Sequence, residues 1–65
     1  MKISFEEFDE RVKNALKTLG LRYSKPVRVK YPHITKYRIQ AMKHGRTRDL
    51  GLLETIEDIA GIKHN

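Results

Sequence analysis

Nine basic side chains, Arg22, Lys25, Arg28, Lys30, Lys36, Arg38, Lys43, Arg46 and Arg48, fall within residues 22–48, a stretch that contains no carboxylate side chain. All eight acidic residues lie outside it, as Glu6, Glu7, Asp9 and Glu10 on one side and Asp49, Glu54, Glu57 and Asp58 on the other. The whole chain of 65 residues has a formal charge of +6, but the flanks alone are net acidic. Concentrating one sign in this way builds a field that attracts polyanions, whereas interspersed charges would cancel at short range. The chemistry on offer is the neutralisation of phosphates or carboxylates, with release of counterions and a steep weakening in salt. Lysines also guard exposed strand edges against pairing, which accounts for one or two of these residues and not for nine.

Other chemistry finds little support. His33, His44 and His64 form no i, i+4 pair and have no carboxylate or thiol at ligand spacing, and the chain has no cysteine, so neither a metal site nor a disulfide framework is expected. Ser4 sits where a helix cap belongs, Ser24 lies in a loop, and Glu54, Glu57 and Asp58 read as an exposed acidic helix face. No nucleophile, base and orienting group come together in this pattern. The expectation is a non-enzymatic protein without a cofactor. No run approaches the roughly 18 apolar residues of a membrane span, and Met1–Glu7 lacks the apolar core of a signal peptide, which points to a cytoplasmic protein.

The elements that must carry the charge follow from the apolar spacing. Ser4 and Glu7 form a capping-box pair, with Ile3 and Phe8 placed for a hydrophobic staple. Phe5, Phe8, Val12, Ala15, Leu16 and Leu19 recur at helical spacing. A helix over 5–19 follows, stopped by Gly20 with Leu21 folding back on it. A second helix is expected over about 50–60, capped by Asp49, with Leu50, Leu53, Ile56 and Ala60 on one face and a stop at Gly61-Ile62. The tail 63–65 is expected to fray.

Between them, Val27, Val29, Tyr31, Tyr37, Ile39 and Ala41 occupy odd positions, and Arg28, Lys30, Lys36, Arg38 and Gln40 even ones. Period-two alternation in β-branched and aromatic residues predicts strands. A hairpin pairs 27–31 with 36–42 across a Tyr31-Pro32-His33-Ile34 turn, with Ile34 at the tip and a further turn at Lys43-His44-Gly45-Arg46. The fold expected is a single small α+β domain over residues 1–65, helix–β-hairpin–helix. In it Arg28, Lys30, Lys36 and Arg38 stand together on the outer face. Arg46 and Arg48 add loop contacts, and Gln40 and Lys43 extend the surface. Tyr31 and Tyr37 are in phase with the core, leaving Tyr23 as the tyrosine to expose.

A second reading makes 34–44 a helix. Ile34, Ile39, Met42 and Gly45 fall at the intervals found around the recognition helix of phage-repressor helix-turn-helix proteins. Leu50, Leu53, Ile56 and Ile62 look like the helix that follows it there, and Arg11-Val12-Lys13 through Leu19-Gly20-Leu21 is similar to that family's first helix. The resemblance implies an all-α fold of phage Cro or repressor type, a role in transcription regulation, and Lys36, Tyr37, Arg38 and Gln40 entering the major groove, Gln40 reading adenine. The chain departs from the pattern at Ser24–Pro32. That segment has a proline near each end and would put Val29 at the small buried position and Arg28 at its apolar neighbour.

The partner implied by either reading is nucleic acid, DNA ahead of RNA. A third reading is a phage-type or regulatory protein that docks its basic middle on an acidic protein. A chain this short buries only about 60% of its unfolded surface, so a homodimer joined by strand or helix would enlarge a thin core.

Overall fold

A computed structural model of the chain describes residues 3–62; the expected fraying of 63–65 lies outside them. The described residues form four helices in the order α1 (Phe5–Leu19), α2 (Ser24–Lys30), α3 (Lys36–Lys43) and α4 (Leu50–Ala60), and no strand. The two outer helices have the expected bounds. Ser4 Oγ accepts from the Glu7 N–H at 3.1 Å, and Asp49 Oδ1 accepts from the Leu52 N–H at 3.2 Å. At the far end of α4 the Gly61 N–H reaches the Asp58 carbonyl and the Ile62 N–H the Glu57 carbonyl. That is a Schellman ending, with Gly61 at φ 77°.

The helix–β-hairpin–helix expectation is overturned between residues 24 and 43, where the chain is helix, connection, helix; the all-α alternative is the one that fits. Pro26 is the third residue of α2, inside the first turn, where a helix has no use for the missing N–H. Pro32 follows α2 by two residues, and it confines Tyr31 to a non-helical φ of −129° and ψ of 79°. The two prolines bracket a helix where they had argued against one. Thr35 then caps α3, its hydroxyl accepting from the Arg38 N–H at 3.3 Å. Gly45, expected in a turn, ends α3 at φ 73°, and the Arg46 N–H closes the same Schellman pattern on the Ala41 carbonyl at 2.9 Å.

The alternation in 27–41 is an accident of two short helices, each of which buries few residues. Val27 and Ile39 are fully buried, but Val29 is 74% and Tyr37 80% exposed. A strand would have put all four on one side. Val27 fills the interior of α2, two residues before the position at which the repressor alignment puts it. The five-residue connection 31–35 is longer than the three or four of a compact helix-turn-helix. Ile34, expected at an exposed tip, is buried within that connection.

One core joins all four helices. It comprises Phe8, Val12, Ala15 and Leu16 of α1, Val27, Ile34, Ile39 and Met42 of the middle, and Leu52, Leu53 and Ile56 of α4, with Ile3 and Ile62 packed against it. Helix α1 lies against α3 and α4, and α2 against the same pair. Two further apolar residues miss the places expected of them: Phe5 is 60% exposed, and Leu21 stands fully in solvent without folding back.

Glu57 corrects the idea of a wholly exposed acidic face on α4. It is buried, and both its oxygens accept from Arg11, Nε to Oε2 at 3.0 Å and Nη2 to Oε1. This fork-to-fork geometry clips α1 to α4. The hydrogen bond to Glu57 raises the pKa of the Arg11 guanidinium above its ordinary value.

Candidate nucleic-acid interface

The eight residues proposed from sequence do not share one surface. Helix α3 carries Lys36, Arg38, Gln40 and Lys43, α2 carries Arg28 and Lys30, and the loop before α4 carries Arg46 and Arg48. Neighbouring acids claim three of them. Arg48 Nη2 donates to Asp9 Oδ2 at 3.0 Å, and its guanidinium lies 4.1 Å from the centre of the Phe5 ring. Arg38 Nη2 donates to Asp49 Oδ2 at 3.2 Å. Lys30 Nζ stands 3.5 Å from Asp58 Oδ2 with both groups well exposed, an arrangement worth about 0–1 kcal/mol. The expected outer face Arg28–Lys30–Lys36–Arg38 therefore does not exist.

What α3 assembles is a different face. Residues 36, 40 and 44 lie four apart and Tyr37 lies between their rows, so Lys36, Tyr37, Gln40 and His44 form one stripe on the side away from buried Ile39 and Met42. Lys36, Tyr37 and His44 are exposed and Gln40 is half-buried. No carboxylate lies on this helix, and its first turn holds no acidic residue. The free N–H groups of that turn and the helix dipole therefore add to the positive potential there. Arg38 lies to the side of the stripe, toward Asp49. Lys43 sits beyond the other edge, its ammonium 5.2 Å from the Tyr23 ring centre.

Arg28 and Arg46 are exposed and make no ion pair among the described residues. They flank α3 in sequence.

The aromatic assignment is reversed. Tyr37, assigned to the core, is among the most exposed side chains, while Tyr23, assigned to solvent, is half-buried against the core. Tyr31 packs partly inside as expected, with its ring edge-on to His33. The helical reading puts Tyr37 in the groove and the hairpin reading puts it in the core, and neither includes His44. The signal that could have found them was the Thr35 cap followed by the 36, 40, 44 spacing.

Among the described residues, no helix is long and apolar enough to cross a membrane. Comparison with protein-family models, with curated proteins and with solved structures returns no match.

Proposed function

We propose that the chain is a non-enzymatic, cytoplasmic DNA-binding module that lays α3 in the major groove. The observation that carries this reading is the acid-free stripe Lys36–Tyr37–Gln40–His44 on a helix fixed to the core through its opposite side. Eight helical residues span about 12 Å, comparable with the width of the groove. In this reading Gln40 donates to and accepts from an adenine edge, and Tyr37 lies along the groove wall or a thymine methyl. Lys36, Arg28 and Arg46 neutralise phosphates and set the orientation of the module. The helix–connection–helix order is of the kind the phage-repressor resemblance implies, with a longer connection, and it favours duplex DNA over single-stranded RNA.

The test is fluorescence anisotropy at low ionic strength with a random duplex, a single strand and an acidic peptide of equal charge. The duplex is expected to bind most tightly. Lys36→Ala should weaken all duplexes alike and lower the salt slope by about 1, whereas Gln40→Ala should lose about 1–3 kcal/mol only on preferred sites. Tighter binding of the acidic peptide would transfer the reading to an acidic protein partner. No duplex binding at low salt would end it.

A further inference from the structure

The outer face of α1 is charged in a pattern that complements itself. Glu6, Glu10, Lys13 and Lys17 follow one another at four, three and four residues and so form a single stripe, turned away from Phe8, Val12 and Ala15. All four are exposed, and none makes an ion pair among the described residues. Within the helix the arrangement is poor, since Glu6–Glu10 and Lys13–Lys17 place like charges at i, i+4. Complementing the helix dipole requires acids early and bases late, but it does not require them on one stripe.

We infer that this stripe is the contact between two copies of the chain, with their α1 helices antiparallel. The positions 6 and 17, and 10 and 13, are symmetric about the point between residues 11 and 12. A two-fold axis through that point therefore sets Glu6 of one copy against Lys17 of the other and Glu10 against Lys13, four ion pairs in all. Such a contact is isologous and closed, and its register is favoured because a shift of four residues keeps only two of the four ion pairs.

The same face borders a shallow groove of about 900 Å³ whose lining includes Leu21 and Tyr23. Leu21, otherwise wholly in solvent, lies just past the C-terminal end of α1 and adds an apolar group at each end of this contact. Two helices of about 22 Å and these apolar ends make a contact at the small end of specific interfaces. A salt-sensitive dimer of modest affinity follows. This inference uses no residue of α3 and is independent of the DNA reading.

The experiment is analytical ultracentrifugation of the full chain without DNA, at low and at high salt. The wild type is expected to dimerise with concentration and to dissociate in salt. The double variants Glu6→Lys/Glu10→Lys and Lys13→Glu/Lys17→Glu should each lose self-association by at least tenfold. An equimolar mixture of the two should form a heterodimer, and the fourfold exchange should regain the homodimer. Circular dichroism checks that each variant folds. Should a reversal unfold the chain, Glu10→Gln with Lys13→Gln, which removes the charge without repulsion, is expected to weaken the dimer and leave the fold. A wild type that stays monomeric at low salt, a dimer indifferent to either reversal, or folded variants that do not combine would each overturn the inference.

Discussion

At the scale of the residue, the charged side chains divide by what lies within reach. Arg11 and Glu57 are forty-six positions apart and meet in a two-pronged pair at the α1–α4 contact. Removing one partner leaves the other with its solvation lost and nothing in return. Glu57→Ala is expected to cost about 3 kcal/mol in urea unfolding, the lower end for a buried pair because Arg11 keeps some exposure. The raised Arg11 value means that the stabilising contribution is present below the guanidinium's ordinary value and would fade only as pH rises past its folded one. Stability should thus be insensitive to this arginine between neutrality and mild alkali.

Asp49 has two tasks, accepting the Leu52 N–H with Oδ1 and the Arg38 guanidinium with Oδ2. Asn is as good a cap as Asp but carries no charge to hold Arg38. If α3 faces DNA, Asp49→Asn should leave thermal stability within about 1 kcal/mol of the wild type. It should also tighten duplex binding several-fold, read by the same anisotropy titration. Unchanged or weaker binding would remove Arg38 and its surroundings from the interface.

At the scale of the element, α2 and α3 show why a two-residue period misled. A helix of seven or eight residues offers the core two or three positions, and alternation and helical spacing agree over so short a span. Val27 and Val29 separate the readings. In a hairpin both would face inward; in the helix Val27 is fully buried and Val29 is 74% exposed. Val27→Ala is expected to cost about 2 kcal/mol, two lost methyl groups with little collapse of the space they leave. Val29→Lys should change stability by no more than about 0.5 kcal/mol. Equal losses at both positions, measured by chemical denaturation, would contradict the helical assignment. The outer helices were legible because their caps, stripes and stops agree at every level: Ser4 with Glu7, Asp49 with its following leucines, Gly61 with Ile62. The middle lacks that agreement: α2 has no side-chain cap, and Gly45 after α3 serves a turn or a helix end equally well.

At the scale of the whole molecule, the acid-free run of nine cations is partly neutralised by the flanks. Asp9, Asp49 and Asp58 come from the two acidic blocks and take Arg48, Arg38 and Lys30. Only the remainder can release counterions on binding. For duplex DNA the slope of log affinity against log salt should therefore correspond to no more than about six phosphates, at roughly 0.9 per phosphate. A slope equivalent to nine would mean that the intramolecular pairs open on binding.

The sequence by itself determined both long helices, the stripe on each that makes the core, and the separation of charge along the chain, because these depend on residues within a few turns of one another. Tertiary structure alone decided which cations remain free, which tyrosine is exposed, and that 24–43 folds as two helices rather than two strands. Those outcomes depend on groups tens of residues apart being brought within a few ångströms, and on whether a core already built by α1 and α4 has room for one valine and one isoleucine or for a whole strand face.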